Sequence, residues 1–453
     1  MISVYAIAGI VVLVWGTLFV SRGSLTMGCL AFVIVAACFG HNFLHFDVGS
    51  MPMTLDRIVA AVLIGAYFIQ RRLGRTDPKP LGRSDLLLML LMGTLAVSTV
   101  WGGWGKGITP KFEPLLRLVS GYVIPFALFW IARQTPLDRR NVSLVHGTLA
   151  CLGVYLATTG LLEVTGQWWA VFPKHIADPD LGEHFGRARG PMVQSINYGL
   201  CLGCCLLAAW LWRWRFGRLG QLILVGLMPL MLAGIYVSYT RSVWMGTGLG
   251  ALVVLGLTLR GSWRPLVLGT VISGALAVGI TQMDKLVAFR REYSAAETAD
   301  SVNVRGSFVY LSWQMFLDRP LWGVGFGQFP QAKMPYLSDR SSAVNLEATR
   351  RYVHHNMFLS VLTETGLIGF ALFLAVLAGW GQMGWQLCRG RDVPQWARAH
   401  GVLLLGALAV YVCQAAFHEL SYTPIDNSLL FLLAGTAAGL RTLIKPATVP
   451  SVE

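Results

Sequence analysis

Thirteen mainly apolar stretches, each at or near the length that crosses a bilayer, dominate this 453-residue chain. A helix needs about 20 predominantly apolar residues to span the hydrocarbon core. The stretches lie at 3–20, 25–40, 57–70, 85–101, 113–132, 144–163, 191–212, 219–239, 243–259, 266–283, 355–380, 400–417 and 427–443. The third is short and the first two are closely spaced, so twelve or thirteen spans are expected. Only 13% of the residues are charged, against roughly 25% in a soluble domain. A soluble enzyme, a nucleic-acid-binding module and a disordered tail are thereby excluded. The fold class is an all-α integral membrane protein. The first stretch lacks a basic n-region and a small-residue cleavage site, so it reads as a retained helix.

The net charge of +14 does not point to nucleic acid, because Lys and Arg cluster between the apolar stretches. One alternating set of loops holds Arg71, Arg72, Arg75, Lys79 and Arg83; then Arg133, Arg139 and Arg140; then Arg213, Arg215 and Arg218. It continues with Arg260 and Arg264, then Arg389, Arg391 and Arg398, and ends at Arg441 and Lys445. The positive-inside rule places these at the cytoplasm. The loops 41–56, 102–112, 164–190, 284–354 and 418–426, and the turn at Arg241, then face outward. The expected division is helices one to ten over 1–283, a large loop over 284–354, C-terminal helices over 355–443 and a cytoplasmic tail over 444–453.

The segment 284–354 is the main break in composition, polar and holding nine Lys/Arg. A loop this long is usually functional, and long loops translocate whatever their charge. Within it, Phe308, Leu311, Met315 and Phe316 recur at helical spacing, which predicts an amphipathic helix lying on the membrane face.

Charge at membrane depth is expensive and marks function. Arg241 sits in GIYVSYTRSVWMGTGLG, almost continuous between two apolar stretches, with Tyr239, Thr240 and Ser242 as its polar neighbours. His354-His355-Asn356 stands where the long loop meets an apolar helix, and an interfacial histidine of pKa about 6.5 can take a proton from a substrate hydroxyl. Glu364 lies nine residues further, two and a half turns on and off the His355 face, so it is expected to tie to a neighbouring helix. Arg305, Arg319, Arg350 and Arg351 suit a diphosphate, because guanidinium groups grip phosphate oxygens as a fork. The glycines of PLWGVGFGQF follow no strand and open no dinucleotide fold, so they are read as permitting a tight turn. Asp178 and Asp180 alone make a weak hard-cation site, and the eight cysteines fall in or beside apolar stretches, as packing residues do. No cofactor and no metal is expected.

Three segments are more specific together than apart: SYTRSVWMG (238–246), RGSFVYLSWQMFLDRPLWGVGFGQF (305–329) and HHNMFLSVLTETGLIGF (354–370). In this order and spacing the chain resembles the O-antigen ligase/polymerase family of bacterial polytopic membrane proteins, over roughly residues 190–440. The resemblance implies a GT-C-like membrane glycosyltransferase of the inner membrane, with its site toward the periplasm on a large loop. It implies an undecaprenyl-diphosphate-linked glycan as donor and lipid A–core or another glycolipid as acceptor. The family's essential arginine falls on Arg241, its loop arginine on Arg305 and its histidine before Asn on His355. Arg319, Arg350, Arg351, His354 and Asn356 are the accompanying substrate-binding candidates. The implied reaction is ligation, inverting and independent of metal, with aromatics such as Trp168, Trp169 and Trp322 stacking on sugars. Polymerisation of lipid-linked repeats is the alternative; a transporter or flippase and a non-catalytic assembly protein are further ones. The sequence leaves open which of His354 and His355 faces the cleft.

Overall fold

The computed structural model describes residues 20–48, 51–103, 113–182, 184–259, 295–339, 344–350 and 352–443, with isolated positions between 260 and 294. The stretch at 3–20 and the 444–453 tail lie outside the described residues, as do Arg351 and nearly all of 266–283. The other eleven stretches are helices. They are α1 (Leu25–Cys38), α2 (Leu55–Arg72), α3 (Arg83–Gly102), α4 (Pro114–Arg133), α5 (Arg139–Val164) and α6 (Ser195–Trp212); then α7 (Arg218–Tyr236) and α8 (Arg241–Thr258). After α9 (Ala295–Asp318), which belongs to the long loop, come α10 (Met357–Arg389), α11 (Gln395–Ala415) and α12 (Pro424–Leu440). Eight of them, α3 to α8 with α10 and α11, are long and apolar enough to cross a membrane. The chain is an all-α integral membrane protein. Among the described residues the sheet is one hairpin, β1 (His45–Val48) against β2 (Met51–Thr54).

Side-chain caps begin several helices. Ser24 accepts from Met27 N ahead of α1, and Asp138 accepts from Asn141 N ahead of α5, taking up donors that a helix start leaves unpaired. At its centre the bundle holds α12, in which every residue from Ile425 to Leu440 is buried. Gly435 and Gly439, four apart, are what allow this. A Cβ at either would meet the α4 backbone, Phe129 O at 2.3 Å or Arg133 O at 2.9 Å. In lipid, where apolar burial drives little helix association, such small-residue stripes let backbones pack. By contrast α7, equally apolar, buries only Leu224, Met231, Gly234 and Ile235.

The face of α9 expected to rest on the membrane is turned inward. Phe308 and Met315 pack on Phe329, and Leu311 packs with Leu337 and Leu346. The loop therefore carries its own small core, which consumes the apolar spacing read from sequence.

One helix is broken where the loop meets it. Gly366 in α10 has φ 63° and ψ −165°, a conformation open to glycine. The chain segment 320–325 fills the break: Leu367 N donates to Pro320 O (2.8 Å), while Val324 N and Gly325 N donate to Thr363 O (3.0 Å) and Glu364 O (2.9 Å). Gly323 and Gly325 have φ of 68° and 110°, as expected of glycines that permit a tight turn.

Candidate active site

The site lies where the upper part of α10 meets the loop, the start of α8 and the segment after α11. Asn356 caps α10, its Oδ1 accepting from Leu359 N (3.0 Å) and its Nδ2 donating to Ala416 O (2.7 Å). Its amide is thus engaged in holding α10 to the end of α11.

The two adjacent histidines differ. His354 is 3% exposed. Its Nδ1 accepts from Asn356 N (3.3 Å), so Nε2 carries the proton and donates to Ser312 Oγ (2.7 Å), whose hydroxyl donates on to Phe308 O. The ring sits against Phe308 and Phe329. Burial, then the charges of Arg117, His355 and Lys333, push its pKa well below the usual range. His354 is therefore a neutral strut between α9 and α10. His355 is half-buried, set edge-on to Phe308 with ring centres 5.2 Å apart, and 5.8 Å from Tyr352.

Facing it is a residue the motifs did not single out. His418 Nε2 hydrogen-bonds Ser242 Oγ at 2.9 Å. Its pKa is lowered to about 3, first by burial and then by the charges of Arg305, His355 and His184. His418 thus lies beside the start of α8 within electrostatic reach of both Arg305 and His355. Arg241, the first residue of α8 and next to Ser242, is exposed. Among the described residues it forms no ion pair within 4 Å. The turn before it places Tyr239 at φ 46°, a left-handed conformation uncommon for a bulky side chain and of the kind that collects at functional sites. Stacked Tyr236 and Trp244, and Trp244 Nε1 donating to Ile235 O (3.1 Å), brace that turn.

The remaining arginines separate. Arg305 sits midway along the loop helix and Arg319 just past its end, about 20 Å apart at 1.5 Å per residue, too far to share one diphosphate. Arg350 forms a two-pronged pair with Glu347, at 2.7 and 2.8 Å. Arg351 lies outside the described residues. Lys333 is buried, its Nζ donating to Thr349 O and Tyr352 O, so it shapes the backbone leading to the histidines. Burial, then Arg350, lowers its pKa to about 8.

Close to this cluster lies a second unforeseen residue. Arg117 of α4 is 2% exposed and every nitrogen is engaged. Nε donates to Ser421 Oγ (2.6 Å), NH1 to both oxygens of Glu364 (2.9 and 2.7 Å) and NH2 to Ser360 Oγ (3.0 Å). NH2 is also 3.2 Å from Glu419 Oε2, and the guanidinium lies between the rings of Phe326 and Tyr422. Glu364 ties to a neighbouring helix, as its position off the His355 face predicts, and also accepts from Phe329 N in the loop (3.4 Å).

On the α5–α6 connection, buried Arg189 holds Glu163 (3.1 Å) and the carbonyls of Ile176, Leu181 and Asp178. Asp178 Oδ1 accepts from Asp180 N, so the pair forms a local turn. No group of three or more His, Cys, Asp or Glu suited to a metal ion occurs among the described residues. Trp168 stacks on Phe185, whereas Trp169 and Trp322 are exposed.

No curated protein matches the chain. Residues 226–374, about a third of it, match the O-antigen ligase family. The matched segment runs from α7 through Arg241, Arg305 and His355 to just past the break in α10, while Arg117, His418 and Glu419 lie outside it. That match supports the O-antigen ligase/polymerase family for this segment, and the family points to a membrane enzyme of glycosyltransferase-like class with lipid-linked glycans as substrates.

Proposed function

We propose that the protein is an O-antigen ligase-type glycosyltransferase of the bacterial inner membrane. It moves a glycan from undecaprenyl diphosphate to a hydroxyl of lipid A–core or a similar glycolipid on the periplasmic side. What supports this reading is the Ser242–His418 pair next to Arg241, within electrostatic reach of Arg305 and His355. In the reaction, His355 takes the proton of the acceptor hydroxyl as its oxygen attacks the anomeric carbon. The bond from that carbon to the phosphate oxygen breaks, and the diphosphate leaves with the electron pair. Arg241 and Arg305 stabilise the charge that develops on it, where a preorganised donor acts most strongly. A single displacement inverts the anomeric centre. Two guanidinium groups supply the charge that a divalent cation supplies elsewhere, so the reaction runs in EDTA.

The test is transfer in liposomes with EDTA present, supplying a short glycan on undecaprenyl diphosphate with and without lipid A–core. The expected product is glycan-bearing lipid A–core, lost in His355→Ala and Arg241→Ala. Longer lipid-linked chains without that product would make the protein a polymerase. Activity that needs Mg²⁺ or Mn²⁺ would overturn the arginine-based mechanism.

A further inference from the structure

The loop helix α9 has a second apolar stripe that its own core does not use. Val309, Trp313 and Leu317 recur at i, i+4 and i+8, which places them along one face, and each is 53% exposed. Just past the helix, Leu321 and Trp322 are 54% and 67% exposed. The opposite face, Phe308, Leu311 and Met315, is already buried in the loop, so the stripe is surplus to folding the loop itself.

What lies beside the stripe indicates what covers it. Its lower end is hydrogen-bonded into the break of α10, where Leu367 N meets Pro320 O and Leu367 is itself exposed on a spanning helix. On the other side the loop is fastened to the end of α3, with Phe326 N donating to Ser98 Oγ (2.9 Å) and Gln328 Nε2 to Gly103 O (2.9 Å). There Val97, Val100 and Trp101 are exposed, Trp101 by 88%. The stripe thus borders exposed apolar residues on two helices long and apolar enough to span a membrane. Two tryptophans among its five residues, and exposed Asp318 and Arg319 at its edge, suit the boundary between headgroups and acyl chains.

We propose that Val309, Trp313, Leu317, Leu321 and Trp322 seat the loop in the lipid surface on the side of the membrane that bears the candidate site. The loop is then held down by lipid as well as by α10. The partner is the bilayer itself, and the seat is independent of the reaction assigned above.

The test is photocrosslinking of the full chain in vesicles of phosphatidylethanolamine and phosphatidylglycerol. Benzoylphenylalanine replaces Trp313 or Leu317, with Leu367 as the lipid-facing reference and Arg350 as an exposed loop reference away from the stripe. Lipid adducts at 313 and 317 within about threefold of Leu367, and at least about tenfold above Arg350, are expected for side chains at acyl depth. Yields equal to Arg350 would overturn the proposal, as would adducts at 313 made with a second copy of the chain. Brominated lipids give a check that leaves the chain's fold undisturbed: they should quench less of the total fluorescence in Trp313→Phe than in the unsubstituted protein. Equal quenching in the two would likewise count against the seat.

Discussion

Two arginines near the same end of the bundle are treated in opposite ways. Arg117 is enclosed, each nitrogen engaged and two carboxylates beside it. Arg241, at the start of α8, is exposed and forms no ion pair within 4 Å among the described residues. A buried charge without partners is very costly, so Arg117 can exist only as part of a fixed network, and it joins α4, α10, the loop and the segment after α11. An arginine that is to meet a ligand's phosphates must keep its donors unspent. On the proposed mechanism the first kind of arginine holds geometry, and the second offers charge.

That contrast can be broken at several points. The largest effect on transfer is expected at His355, where His355→Ala should lose about 10²–10⁴-fold in rate, the usual worth of a positioned base, with thermal stability unchanged. A loss of both rate and melting temperature would place His355 with the struts. Next, Arg117→Met should destabilise the protein by roughly 3–5 kcal/mol, because it strands two buried carboxylates; chemical unfolding in detergent reads this directly. Adding Glu364→Gln to that variant should recover part of the loss, and a strictly additive double variant would contradict the network. Arg241→Ala should lower the rate about 10²–10³-fold and leave the unfolding midpoint in place.

Acidification tests the histidines. His354 and His418 have folded pKa values below the ordinary 6.5 of the unfolded chain, His418 at about 3. Between those limits the unfolded chain binds more protons, so stability rises with pH. Their contribution is complete above about pH 6.5 and fades as pH falls toward 3. The melting temperature should therefore drop between pH 7 and pH 4, and the drop should be smaller in His418→Asn; an unchanged slope would show that His418 is not held neutral. The smallest effect belongs to Arg350→Ala. That pair with Glu347 is exposed and screened by solvent, so transfer should persist near the unsubstituted rate. A large loss would return Arg350 to the phosphate site.

Much of this was legible in the sequence, and the limits have physical causes. Apolar length alone located eleven helices, because a bilayer demands it. It could not rank them by burial: α12 and α7 are equally apolar, and what centres α12 is the Gly435–Gly439 spacing against α4. The motifs pointed to Arg241, Arg305 and His355 as candidates, but Arg117 and His418 carry no motif. They are single residues at helix ends whose partners lie up to 304 and 176 positions away. The inverted face of α9 has a similar origin. Both of its apolar stripes have helical spacing, and only the loop core at Phe329, Leu337 and Leu346 decides which one is inward. Nor could two neighbouring histidines be told apart until Ser312 and Asn356 were seen to occupy both nitrogens of the first.

The break at Gly366 also bears on how this protein can be re-engineered. Without residues 320–325, the N–H of Leu367 and the carbonyls of Thr363 and Glu364 would lack these partners at the edge of a medium that tolerates few unpaired backbone groups. In the folded protein residues 320–325 satisfy those groups, so the break in α10 and the docked loop stand or fall together. For the same reason the loop is not a detachable module. A chimaera that exchanges it must carry Pro320 to Gly325 together with the recipient helix, or it will leave the helix unfinished.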